Sequence, residues 1–295
     1  MSQVTRKTTS LITKRSTVGL LLGAAICPLT AARSATAQEH GDPLGSPCLP
    51  PVLYASQPSD AVIGALHAEI DRERSFQTAY YAGAQIFLAK LATAAARLSD
   101  ALELRPTQQP EILLATSRAW RTIDRRFSDS KKETIFLSKD DTLPNGSAAP
   151  AENMLFAILA HEFGHAYQFA RQFDHADNSM IGPSGLTRPI RQIELHADFM
   201  AGFSLARSEQ KYGKPDDLLR RFSDTILNLG DYNFAPCLHH GTPAERYTMM
   251  MKGYIEAQRD TGTTAKAASD VGIDLLSKKI FDESSHSQEG NTCNF

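Results

Sequence analysis

The 295-residue sequence is poor in cysteine, with four, and has a single tryptophan. Cys27, Cys48, Cys237 and Cys293 are far apart and lack zinc-ribbon spacing, which excludes a cluster of thiolates as the organising centre. An excess of positive charge is also missing, with 31 Lys+Arg against 33 Asp+Glu. Five of the basic groups (Arg6, Lys7, Lys14, Arg15 and Arg33) lie in residues 1–37, which hold no acidic residue. The rest of the chain therefore has 26 basic against 33 acidic groups, a net of −7. Such a balance argues against nucleic acid or an anionic membrane as the main partner. No apolar run is long enough to span a bilayer. The run Val18 to Leu29 is short and contains Pro28.

That run does fit an export signal. A basic stretch ending at Lys14-Arg15 precedes it, and Ala35-Thr36-Ala37 before Gln38 forms a small-x-small cleavage site. Ile26 stands before Cys27 where a lipoprotein signal needs a small residue. Thr13-Lys14-Arg15 only distantly resembles a twin-arginine signal, since the first arginine is missing. The expected division is a signal peptide over 1–37, a Pro- and Gly-rich lead-in over 38–58, a folded domain over 59–282 and a tail over 283–295. The mature chain would be exported, to periplasm or extracellular space. There, one disulfide among Cys48, Cys237 and Cys293 is permitted, with the pairing open.

The pattern within the domain is mostly helical. Helices are expected at about 60–75 and 78–104, and β-like runs at Glu111–Leu114 and Thr134–Leu137. Trp120 to Phe127 fits either helix or strand. A helix should run from Ala151 to about Phe173, then a loop over 174–188, then a helix opened by Pro189 and reaching about Gln210. Further helices are expected at 215–229, 243–258 and 263–281. The fold class is α+β, mostly helical, with a small sheet.

Chemistry concentrates at Ala160-His161-Glu162-Phe163-Gly164-His165. Two histidines at i and i+4 share one helix face and can hold one ion. Glu162 can then take a proton from a water that zinc has acidified. By chance the motif arises in about one chain of this length in a hundred, so its context must decide. A histidine six residues past the second would complete one known site type, but that position is Arg171. The other candidate is Glu194, in Glu194-Leu195-His196-Ala197-Asp198. Glu194 and Asp198 also share a helix face, and Asp198 could accept the remaining ring N–H of a liganding histidine. His196 lies about 200° round the helix from Glu194 and reads as a non-ligand. His175 reads as a solvated loop residue, and Asp140-Asp141 lacks the spacing of a calcium loop.

These residues resemble the gluzincin metallopeptidases, in which a His-Glu-x-x-His helix is followed by one bearing Glu-x-x-x-Asp. Within that group the chain is most similar to the bacterial neutral zinc metallopeptidase family, and also to the prenyl-protein proteases and their periplasmic relatives. His240-Gly-Thr-Pro-Ala-Glu-Arg246 is a third matching element, and the similarity covers about 133–256. The resemblance implies a zincin-like domain with one zinc on His161, His165 and Glu194, Glu162 as general base, and peptide or protein substrates. It also implies that His240 stabilises the oxyanion, with His239, Tyr232 and Tyr247 as alternatives, and that Arg246 binds Glu194 or anchors the turn. In this enzyme class an edge strand near the metal helix pairs with the substrate main chain. Thr134–Ser138 is either that strand or an ordinary core strand. The competing function is a zinc-stabilised, chaperone-like peptide-binding protein of the cell envelope with little turnover.

Overall fold

The computed structural model describes residues 60–80, 85–116, 120–123, 125, 131–138, 148–174, 181–182, 185–186, 190–213 and 240–278. Several expectations lie outside these residues: the signal, the lead-in, the helix at 215–229 and the tail. So do Cys27, Cys48, Cys237, Cys293, Asp140, Asp141, His175, Pro189, Tyr232 and His239.

The described chain is mostly helical with a small sheet. Helices α1 (Asp60–Tyr80) and α2 (Gln85–Ala101) come first. The strands β1 (Glu111–Ala115), β2 (Arg121–Ile123) and β3 (Thr134–Ser138) follow. Helix α3 (Ala148–Asp174) precedes a small antiparallel pair, β4 (Ile181–Gly182) and β5 (Gly185–Leu186). Helices α4 (Ile190–Tyr212), α5 (Pro243–Arg259) and α6 (Ala265–Ser277) complete the order. Helix α1 runs on to Tyr80, past residue 75 where the sequence pattern ended it. The β4–β5 pair occupies part of what reads as a loop, because two-residue strands carry no periodicity to detect.

The sheet has the order β1-β3-β2, with β3 parallel to β1 and antiparallel to β2. Thr134–Ser138 is therefore the central strand and not an edge strand. Ile135, Phe136 and Leu137 are fully buried, as pairing on both sides and cover on both faces require. Of the ambiguous run Trp120 to Phe127, Arg121–Ile123 form the short edge strand β2, while residues 124, 126 and 127 lie outside the described residues. Alternation along β3 sends Phe136 to one face, where Leu66 and Ile70 of α1 cover it with Leu113 and Ile123. Ile135 and Leu137 join the main helical core on the other face. Gln77 of α1 completes the outer side of β1: its Oε1 accepts from Leu114 N at 2.8 Å, and its Nε2 donates to Ile112 O at 3.4 Å.

Helices α3 and α4 are buried on nearly every side between residues 157 and 171 and between 193 and 206. A helix buried all round belongs in the middle of a core, and α4 packs against α2, α3, α5 and α6. Its contact with α5 is backbone to backbone. A Cβ on Gly202 would strike Met250 O, and one on Gly253 would strike Phe199 O. Glycine at both positions lets the helices approach closely enough to share a polar site.

Candidate metal centre

Glycine also sets the contact between α3 and α4. A Cβ on Gly164 would lie 2.6 Å from Ala197 O, so the motif helix rests directly on the backbone of α4. The approach brings His161 and His165 on α3 against Glu194 on α4. His165 Nε2 is 3.1 Å from His161 Nε2. Glu194 Oε2 lies 3.2 Å from His161 Nε2, and its Oε1 lies 3.4 Å from His165 Nε2. The two imidazoles meet edge to face at 85°. All three side chains are buried, and among the described residues they are the one group of three or more His, Cys, Asp or Glu that could hold a metal ion.

The surroundings hold the three in place. His161 Nδ1 donates to Asp198 Oδ1 at 2.9 Å, which leaves Nε2 directed at His165 and Glu194. Arg246, wholly buried, donates from Nε to Asp198 Oδ2 at 2.8 Å and from Nη2 to Asp198 Oδ1 at 3.0 Å. Its Nη2 is nearly equidistant from both His161 ring nitrogens, at 3.2 and 3.3 Å, and so lies against the ring face. Arg246 also reaches Glu194, as expected of it, at 3.8 Å, but its shorter contacts are those to Asp198. Arg246 is delivered there by the start of α5. Thr242 and Glu245 form a capping box, with Thr242 N donating to Glu245 Oε2 at 2.8 Å and Glu245 N to Thr242 Oγ1 at 3.3 Å. Gly241 precedes it at φ +97°, a conformation suited to glycine. Arg191 on α4 pairs with Glu245 and locks the two helix starts together.

The electrostatics favour a cation. Burial and the Arg246 charge push the His161 imidazole down, yet Asp198 and Glu194 outweigh them and raise it to about 9. Glu194 is held well below the usual carboxylate range. Burial opposes this, but His165, His161 and His240 overcome it. Asp198 is lowered as well, against burial, chiefly by Arg246 and His161. A buried pocket that binds a proton this firmly is one in which positive charge is stabilised.

Glu162 is buried one residue on from His161, and Thr122 Oγ1 on β2 donates to its Oε2 at 2.7 Å. His240 is buried just before the α5 cap and close enough for its charge to act on Glu194. Tyr247 is an exposed residue of α5. His196 is not in the metal group; it is buried and bonded to Gln168 and Ser269 instead. His67 on α1 is partly exposed.

Two neighbours of the site were not anticipated. Gln168 Oε1 lies 2.9 Å from His165 Nδ1. The i, i+3 spacing from His165 was the available signal for it. Thr122 had none, because its run fitted helix and strand equally. No protein-family model matches this chain, and no curated protein and no solved structure matches it either.

Proposed function

We propose that the chain is a zinc-dependent peptidase with a gluzincin-type site, and that it works after export. The observation that carries this reading is the meeting of His161 and His165 Nε2, 3.1 Å apart, with the Glu194 carboxylate, whose Oε2 lies 3.2 Å from His161 and whose Oε1 lies 3.4 Å from His165. Tetrahedral coordination at about 2.0–2.1 Å sets ligand atoms about 3.3–3.4 Å apart. Two imidazoles and one carboxylate also suit zinc better than calcium or magnesium, which prefer oxygen. Three protein ligands leave a fourth position for water or substrate, as catalytic zinc requires.

When bound, zinc would supply Lewis acidity, lowering the pKa of a water towards 7 and polarising the scissile carbonyl. Glu162 would take the proton from the attacking water and pass it to the leaving amine. Thr122 holds one oxygen of that carboxylate and so restricts its rotamer. His240 would donate to the developing oxyanion, the role implied by the resemblance. Among the described residues no helix is long and apolar enough to cross a membrane, and the proposed substrate is a peptide or protein.

The test is zinc content and peptide hydrolysis for the wild type, Glu194→Ala and Glu162→Gln. The expected result is about one zinc per chain, lost or weakened without Glu194, and zinc retained without turnover in Glu162→Gln. No zinc after reconstitution would overturn the reading. Zinc bound without hydrolysis of any peptide would leave the chaperone-like alternative in its place.

A further inference from the structure

We propose that Gln168 positions His165 for metal binding, and that helix α6 in turn fixes Gln168 through His196. The inference rests on the metal-site reading above and assigns roles to residues that reading does not use.

The two histidines are backed differently. Behind His161 stands a carboxylate, Asp198, neutralised by Arg246. Behind His165 stands an amide. Gln168 Nε2 donates to Ile193 O at 2.8 Å and lies 3.0 Å from His196 Nδ1. His196 Nε2 lies 3.0 Å from Ser269 Oγ on α6. Arg171 donates to the same Ser269 Oγ at 2.5 Å and to Asp270 Oδ1 at 3.0 Å. Gln168, His196 and Ser269 are essentially without solvent contact.

The donors and acceptors can be ordered along this chain. A backbone carbonyl only accepts, so Ile193 O fixes the nitrogen end of the amide, and the oxygen end must face His165. His165 therefore carries its hydrogen on Nδ1 and keeps the Nε2 lone pair towards His161 and Glu194. The second amide hydrogen goes to His196 Nδ1, which leaves the His196 hydrogen on Nε2 for Ser269. Each step needs the one before it.

A carboxylate at position 168 could not do the same. It would face the Ile193 carbonyl and the His196 lone pair with no hydrogen to give. It would also unbalance the charge. With a divalent ion in place, the buried charges of Glu162, Glu194, Asp198 and Arg246 cancel, and a further anion would have no partner. The amide provides the acceptor that His165 needs without that charge. Helix α6, outside the span of family resemblance, thereby becomes part of the metal centre.

The experiment uses the mature chain as wild type, Gln168→Leu and Gln168→Glu. Zn2+ affinity is measured by chelator competition, and ligand geometry by the visible spectrum of the Co2+ form. Gln168→Leu should lose about 10- to 100-fold in affinity and alter the Co2+ bands, and Gln168→Glu should restore neither. In parallel, long-range 15N–1H correlation on the metal-free wild type reads the tautomers, and should give Nδ1–H for His165 and Nε2–H for His196. The opposite tautomer at either residue overturns the proposal, and decides it even if the variants do not fold. Wild-type affinity in folded Gln168→Leu also overturns it while leaving the metal site standing. A wild type that takes up no metal removes both.

Discussion

Arg246 grips both oxygens of Asp198, at 2.8 and 3.0 Å, while Asp198 Oδ1 lies 2.9 Å from His161 Nδ1. One fork of hydrogen bonds thus ties α5 to α4 and α4 to α3, and all three side chains are buried. Removing Arg246 takes two charge-assisted hydrogen bonds from a fully buried carboxylate and leaves it with His161 alone. Arg246→Ala should therefore destabilise the fold by about 3–5 kcal/mol. Arg246→Lys should recover little, because an ammonium cannot reproduce the two-pronged geometry. Urea unfolding of the metal-free protein measures this. A loss below about 1 kcal/mol would mean that Asp198 finds another partner.

Metal binding should release a proton. In the metal-free protein His161 titrates at about 9, above the ordinary 6.5. The stabilisation its protonation gives to the metal-free fold is complete below about 6.5 and is lost as pH rises towards 9. Zinc affinity should run the opposite way, rising about tenfold per pH unit up to about 9 and then levelling. Calorimetry at pH 7 in buffers of different ionisation enthalpy should report about one proton released per zinc. No buffer dependence would mean that His161 is already neutral before the ion arrives.

Gly164→Ala should damage the site through packing alone. The new methyl would press on Ala197 O, a backbone atom that cannot turn aside, so α3 and α4 must separate. The expected cost is about 1–3 kcal/mol, with weaker zinc retention because Glu194 moves away from the histidines. Gly64→Ala is the control. Gly64 is an exposed residue of α1 with nothing within 4 Å of an added methyl. It should gain about 0.5–1 kcal/mol from helix propensity. Thermal unfolding and zinc content of the two variants side by side would expose an error in the helix contact.

Much of this arrangement was legible in the sequence, for physical reasons. Helical spacing alone puts His161 beside His165 and Glu194 beside Asp198, because the 3.6-residue period fixes which side chains share a face. The long helices showed for the same reason. Position within the sheet was not legible. Thr134–Ser138 reads the same as a centre or an edge, and only the pairing of β1 and β2 on either side decides it. His196 was correctly placed off the metal face, but local spacing could not reveal that the opposite face meets Gln168 and Ser269. Nor could it match Arg246 to Asp198, forty-eight residues earlier, since that contact depends on how α5 crosses α4.

Thr122 offers the most direct check on the proposed chemistry. Its hydroxyl donates to Glu162 Oε2 at 2.7 Å and also lies 3.1 Å from the Glu162 backbone oxygen. Both groups are buried, so water does not readily replace the hydroxyl. Thr122→Val keeps the shape and removes the donor, which frees the carboxylate to leave the orientation that proton transfer requires. If Glu162 is the general base, kcat should fall by about 10- to 100-fold, with KM and zinc content little changed. Thr122→Ser, which keeps the hydroxyl, should recover most of the rate. That split between kcat and KM separates positioning from substrate binding, because only loss of an interaction made in the transition state lowers kcat alone. A Thr122→Val protein that binds zinc and turns over at the wild-type rate would show that Glu162 needs no support from β2.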